Sequence, residues 1–243
     1  MKPHDIESLE RATVEGVAPA KIAEIGGWLA PLDNGAIQRG KSAVPLRHDL
    51  DASALSAIEA AYWTEGLSPA FRVADKPGLR AVRDALATRG YVTEKSTVVE
   101  VGDVDRLARL RDTPGDLLTE PDEAWGDVFL GPGLDPEDGA SRVAALTRSP
   151  DAMYGRVRED GRTVAVGCVT FGHGWAGIHG MRTDAECRGR GLASQVLEAL
   201  GRATQARGIT RVFLQVEEAN KDARSLYRKA GFQPAWPYRY WTR

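Results

Sequence analysis

The run Arg188-Gly-Arg-Gly-Leu-Ala193 has the residue types to hold an anion. Behind it, Leu192, Val196, Leu197, Leu200 and Ala203 fall on one face of a helix, so Gly189 and Gly191 stand where that helix begins. First-turn amides of a helix lack internal acceptors, the helix dipole is positive there, and glycines let a phosphate approach the backbone. Arg188 and Arg190 add full positive charges. Upstream, Gly177, His179, Met181 and Thr183 alternate along an expected strand and should share one face. His179 has a side chain whose ordinary pKa suits proton transfer near neutrality; the alternative is a structural strand histidine. Gln215 and Glu217 share a face of a later strand, where Glu217 or Glu218 could attract or deprotonate an amine through water, or else form a solvated strand end.

The elements that must position these groups are legible around them. Residues 153–157 and 163–171 read as a strand pair around the turn formers Glu159, Asp160 and Gly161, and Gly172-His-Gly-Trp175 turns the chain into the strand that leads to the glycine loop. After the loop's helix, Val212, Leu214 and Val216 mark a largely buried strand. Asn220 suits the cap of a second helix, on which Ala223, Leu226, Tyr227 and Ala230 share a face and which Gly231 stops before Phe232. A final strand covers 236–241, with Tyr238 and Tyr240 alternating against Arg239 and Trp241.

Arg188, Gly191 and Ala193 fit the glycine-loop signature of the GNAT N-acyltransferases, and the order Asn220, Ala223, Leu226, Tyr227, Gly231, Phe232 is similar to that family's second signature. The chain therefore resembles the GNAT family. The resemblance implies an α/β fold, a mixed and mostly antiparallel sheet flanked by helices, in two related domains: 1–101 as a degenerate copy and 102–243 as the acetyltransferase. It also implies acetyl-CoA as co-substrate, no metal, and direct acetyl transfer to a primary amine. The amides of Gly189, Arg190, Gly191, Leu192 and Ala193, beside Arg188, would bind the pyrophosphate, and the main chain of Met181 and Thr183 would pair with the pantetheine arm. Asn220 would contact the cofactor, cap its helix, or do both, and Tyr227 would donate a proton to the departing thiolate. The expected catalytic set is Tyr227, His179 and Glu217. Many relatives carry an acid on the strands beside the thioester, whereas here Gly177 and Gln215 stand nearby. The alternative function is a module that binds acyl-CoA without turnover. A dinucleotide-binding domain would need a parallel sheet with its glycines after the first strand, whereas these come late, after an antiparallel meander.

In the first half, helical spacing surrounds Ile22 and Ile25 until Gly26 and Gly27, and residues 28–31 and 36–46 read as strands joined at Asp33-Asn-Gly35. A helix over 51–65 would be capped by Asp51 or Ser53, followed by a strand over 70–74, a helix over 79–90 and a strand over 91–101. This order echoes 214–232, with Leu86 standing where Tyr227 stands and no glycine in Arg47-His-Asp-Leu50. Short helices are expected over 124–130 and 140–146, separated by Gly131, Pro132, Gly133 and Pro136; the resemblance implies that such helices border the acceptor site, so Trp125 and Phe129 are either substrate contacts or core.

With 243 residues and a net charge of −2, the composition offers no electrostatic case for nucleic acid or an anionic membrane. Cys168 and Cys187 are the two cysteines, read as free thiols of a cytoplasmic protein with neither a signal sequence nor a membrane span. The acceptor is a small-molecule amine or a protein amino group, and the oligomeric state, monomer or homodimer, is open.

Overall fold

The computed structural model describes residues 1–131 and 133–243; Pro132, expected in a linker between helices, lies outside the described residues. The chain runs α1 (Pro3–Glu15), β1 (Lys21–Ile25), β2 (Trp28–Leu32), β3 (Val44–Pro45), α2 (Leu55–Thr64), β4 (Phe71–Ala74), α3 (Arg80–Thr88) and β5 (Val92–Asp103). It continues through α4 (Val104–Leu107), β6 (Asp116–Leu118), α5 (Glu123–Asp127), α6 (Pro136–Thr147), β7 (Ala152–Glu159), β8 (Arg162–Gly172) and β9 (Trp175–Thr183). The last elements are α7 (Leu192–Ala206), β10 (Arg211–Glu217), α8 (Lys221–Lys229) and β11 (Gln233–Thr242).

Eight strands form one mixed sheet in the order β4-β11-β5-β10-β9-β8-β7-β6, in which only β9 and β10 run parallel. The α/β class and the mostly antiparallel sheet flanked by helices agree with the sequence. One face packs under α7 and α8, where Val196, Leu200 and Tyr227 join Val169, Ile178 and Leu214 in a core. On the other face, α5 and α6 bring Trp125, Phe129 and Leu146 against Tyr154, Val166 and Cys168. Helix α1 lies on this second face, docked through a buried ion pair between Glu10 and Arg72 (2.7 Å) and a hydrogen bond from Gln215 to Thr13 (3.0 Å). Truncating one partner of such a buried pair is costly, because it strands the other charge.

The strand order interleaves the two halves of the chain. β5, from the first half, lies between β10 and β11, and β11, from the second, lies between β4 and β5. The boundary expected between residues 101 and 102 therefore falls inside β5, whose Val101 pairs with both Phe213 and Gln233. The β1-β2-β3 sheet adjoins the large one through a parallel bridge between Ala43 and Phe71.

Three local expectations are corrected. Ile22 and Ile25 lie in a strand, because Gly26 and Gly27, at φ +56° and +80°, form a two-residue hairpin turn that pairs β1 with β2. Residues 36–46 give a 3₁₀ turn (Gln38–Gly40) and the short β3 in place of one strand. The α2 cap is Ala54, while Asp51 holds the amide and hydroxyl of Ser53 instead. No helix among the described residues is long and apolar enough to cross a membrane.

A fragment beginning at residue 102 keeps only the last two residues of β5 and exposes facing edges of β10 and β11. It should show no cooperative thermal transition by circular dichroism, whereas the full chain melts as one unit. A cooperative melt of the fragment would show that β5 is dispensable.

Candidate active site

The site originates in a backbone irregularity on β9. Between Val166 and Cys168 of β8 the register slips, so that Arg182, Met181, Gly180 and His179 cover the step with one residue to spare. Gly180 takes φ +62°, a left-handed conformation that costs an L side chain energy but not glycine. The bulged strand bends away from its parallel neighbour: β9 and β10 pair only over Ala176–Ile178 and Val212–Leu214. Beyond that point β9 pairs only with β8, and β10 only with β5. The two strands splay, and a cleft of about 340 Å³ opens through the sheet.

Five of the expected catalytic and cofactor-binding residues line this cleft, His179, Met181, Glu217, Asn220 and Tyr227, whereas Thr183 and the loop from Arg188 to Ala193 do not. Tyr227 comes from α8, is 8% exposed, and sits edge-on to Phe232 with ring centres 6.0 Å apart. Burial, aided by the negative charge of Glu100, pushes its phenol up to about 12. Asn220 caps α8 by accepting from the Ala223 amide (3.1 Å). Glu217, half exposed at the end of β10, pairs with Lys95 at 3.3 Å.

The bulge also corrects the expected alternation on β9. His179 and Gly177 face α1, but the extra residue turns Met181 to the opposite face, where it lies over Gly167 and the α7 core. His179 is 3% exposed, with Arg39 Nη2 3.2 Å from its Nδ1 and Thr170 Oγ1 3.1 Å from its Nε2. A guanidinium can only donate, so Nδ1 is the acceptor and Nε2–H donates to Thr170. Burial, reinforced by the Arg39 charge, holds His179 well below its usual pKa. It is a neutral ring with both nitrogens engaged, and in this arrangement it has no free lone pair for a substrate proton.

The glycine loop lies at the start of α7. Gly189 and Gly191 have φ +77° and +83°, Gly191 caps the helix, and a Cβ on Gly189 would meet open space. Among the described residues, the amides from Gly189 to Ala193 have no acceptor within the protein. A run of free donors at the positive end of a 15-residue helix suits a phosphate group. Arg188 reaches back to the Thr183 carbonyl (3.4 Å), while Arg190 pairs with Glu159 at 2.9 Å.

Two contributors escape sequence inspection. Arg111 sits over the loop, its guanidinium 3.2 Å from where a Gly191 Cβ would be, because the buried Glu198 of α7 accepts from its amide. Arg39 reaches the cleft from the first half of the chain. Neither lies in a motif or near the loop in sequence. Of the two aromatics left open, Trp125 is core, with its indole N–H on the Gly155 carbonyl, and Phe129 lines the cleft. Tyr238 and Tyr240 bond each other behind the site at 3.2 Å.

Gly180→Val would add left-handed strain and place a Cβ 2.6 Å from Leu146 Cδ1. Chemical denaturation should report a loss of about 1–3 kcal/mol. An unchanged midpoint would mean that the bulge relaxes freely.

A family described as "Probable histone acetyltransferase Rv0428c C-terminal" matches residues 4–241. The chain is also similar to "Uncharacterized N-acetyltransferase YobR" of Bacillus subtilis (strain 168), with 26% identity over 243 residues, 97% of this chain and 98% of that one. Among solved structures it is similar to a GCN5-related N-acetyltransferase from Kribbella flavida, at TM-score 0.71 and 16% identity over 98% of this chain and 95% of that one. It is likewise similar to a tandem GNAT protein from the clavulanic acid biosynthesis pathway, at TM-score 0.63 and 16% identity over 99% and 93% of the two chains. With its sheet split at one parallel pair and a match across nearly its whole length, the chain belongs to the Rv0428c C-terminal family and is an acetyltransferase of the GNAT type.

Proposed function

We propose that the protein moves the acetyl group of acetyl-CoA directly to the nitrogen of a primary amine within the cleft. The observation that carries this is the convergence of Met181, Glu217, Asn220 and Tyr227 on the opening between β9 and β10, in a chain that also presents a loop of acceptor-free amides at the start of α7. Acetyl-CoA supplies the activated thioester. The amides of Gly189 to Ala193, with Arg188 and Arg111, hold its pyrophosphate, and Arg190 braces the loop through Glu159. The main chain of Met181, at the cleft, and of Thr183, two residues further along the stretch where β9 lacks a partner on one side, orients the pantetheine arm.

The proton steps follow from the side chains. As the amine nitrogen bonds to the carbonyl carbon and the carbon–sulfur bond breaks, Tyr227 passes its phenolic proton to the sulfur and regains one from solvent. With a pKa near 12, the phenol carries that proton throughout the neutral range. Glu217, at the wet end of the cleft, takes the ammonium proton through water. His179 holds Arg39 and positions rather than titrates.

We further infer that 1–101 and 102–243 are two related copies. β4-α3-β5 and β10-α8-β11 are equivalent strand-helix-strand units, and the order β4-β11-β5-β10 is what a half-turn about an axis between β5 and β11 would produce. The first copy has the buried Leu86 in its helix and no glycine loop. A cytoplasmic location fits the two buried free thiols.

Tyr227→Phe should lower turnover about 100-fold with little change in acetyl-CoA affinity, measured by thiol release and calorimetry. An unaffected rate would remove Tyr227 from the mechanism. Gly191→Asp, with bulk and negative charge at φ +83° beside the free amides, should abolish acetyl-CoA binding while the fold persists by circular dichroism. Retained affinity would put the pyrophosphate elsewhere.

A further inference from the structure

The face of the cleft under α1, α5 and α6 is cationic. Arg39, Arg142 and Arg182 all line it. Arg142 is matched by Asp138, with hydrogen bonds of 2.6 and 3.1 Å. Arg39 and Arg182 have no carboxylate within salt-bridge distance among the described residues. Arg182 lies 5.3 Å from the centre of the Phe129 ring, a contact that orients a guanidinium without neutralising it. Arg39 is the more unusual. Its Nε is enclosed with no hydrogen-bond partner, and its one side-chain hydrogen bond goes to His179, a neutral ring that leaves the charge intact. The acid on this cleft, Glu217, is already paired with Lys95.

A partly buried guanidinium with an enclosed, unpartnered Nε and no counter-ion is costly, and a planar fork of donors matches carboxylate and phosphate oxygens. We propose that the amine acceptor carries a compact oxyanion, a carboxylate or a phosphate, which Arg39 binds with help from Arg182 while the amine is presented toward Tyr227 and Glu217. This rests on the assignment of the cleft as the site of acetyl transfer. It gives His179 and Thr170 a purpose: the Thr170–His179–Arg39 chain of hydrogen bonds aims the guanidinium.

The test uses amines in matched pairs that differ only in the anion: amino acids against their amides, and O-phosphoethanolamine against ethanolamine. Each pair is measured by thiol release from acetyl-CoA and by calorimetric binding to the full chain, for wild type, Arg39→Met, Arg39→Lys and Arg182→Met. Wild type should favour the anionic member of at least one pair by tenfold or more in kcat/KM and in affinity. Arg39→Met should erase that preference, bringing the anionic member down to the level of the neutral one, and Arg39→Lys should restore part of it. If Arg39→Met fails to fold, Arg182→Met should reduce the same preference. The Gly191→Asp background removes phosphate binding at the α7 loop and should leave the preference in binding intact. Equal use of both members, with acetyl transfer observed, would overturn the oxyanion proposal alone. Binding of anionic amines through Arg39 without thiol release would uphold the anion site and overturn the acetyl-transfer assignment. Absence of both binding and release would overturn both.

Discussion

The separation of β9 from β10 is the constraint on which the rest of this molecule depends. Parallel neighbours in a sheet normally pair along their whole length, and here pairing ends after three residues. The cause is one surplus residue on β9 and a glycine able to absorb it at φ +62°. The opening removes backbone partners from both strands, so it is tolerable only if something else meets those groups. The residues around the opening come from both faces of the sheet, with α8 on one side and α6 on the other.

The two faces have different characters because different parts of the chain build them. Helices α7 and α8 bring the free amides of the glycine loop and the phenol of Tyr227. The opposite face is assembled from α1, the turn at Arg39, α5 and α6, and it concentrates arginines around a neutral histidine. The first half of the chain, which has no glycine loop, thus contributes to the cleft even though the recognisable motifs all lie in the second. It is also inseparable from the second half, since each half lends a long strand to fill a gap in the other.

Electrostatics within the site divides along the same line. Tyr227 is surrounded by apolar side chains with Glu100 nearby, and both influences keep its proton in place. His179 is buried beside Arg39, and both burial and that charge keep it neutral. A residue whose ordinary pKa lies near neutrality is therefore held neutral between two partners, and one with a high ordinary pKa keeps its proton.

Local periodicity and turn chemistry were enough to determine the second half: the strand pair before the loop, the glycine start of α7, the Asn220 cap and the Gly231 stop of α8 are short-range features that neighbouring residues decide. The places of Gly191 at the start of α7, Asn220 at the cap of α8 and Tyr227 on its buried face were legible for the same reason. The bulge at Gly180 was not, because a single extra residue is defined only against the register of β8, and so His179 and Met181 were expected on one face and lie on two. Ile22 and Ile25 read as helical because three residues apart is a helical spacing; in the strand they occupy it puts them on opposite faces, and the hairpin closed by Gly26 and Gly27 decides for the strand. The interleaving of β5 with β10 and β11, the approach of Arg111 to the glycine loop and the arrival of Arg39 beside His179 join segments far apart in the chain. Hydrogen-bond pairing across the sheet and burial of charge decide them, and those exist only once the chain has folded.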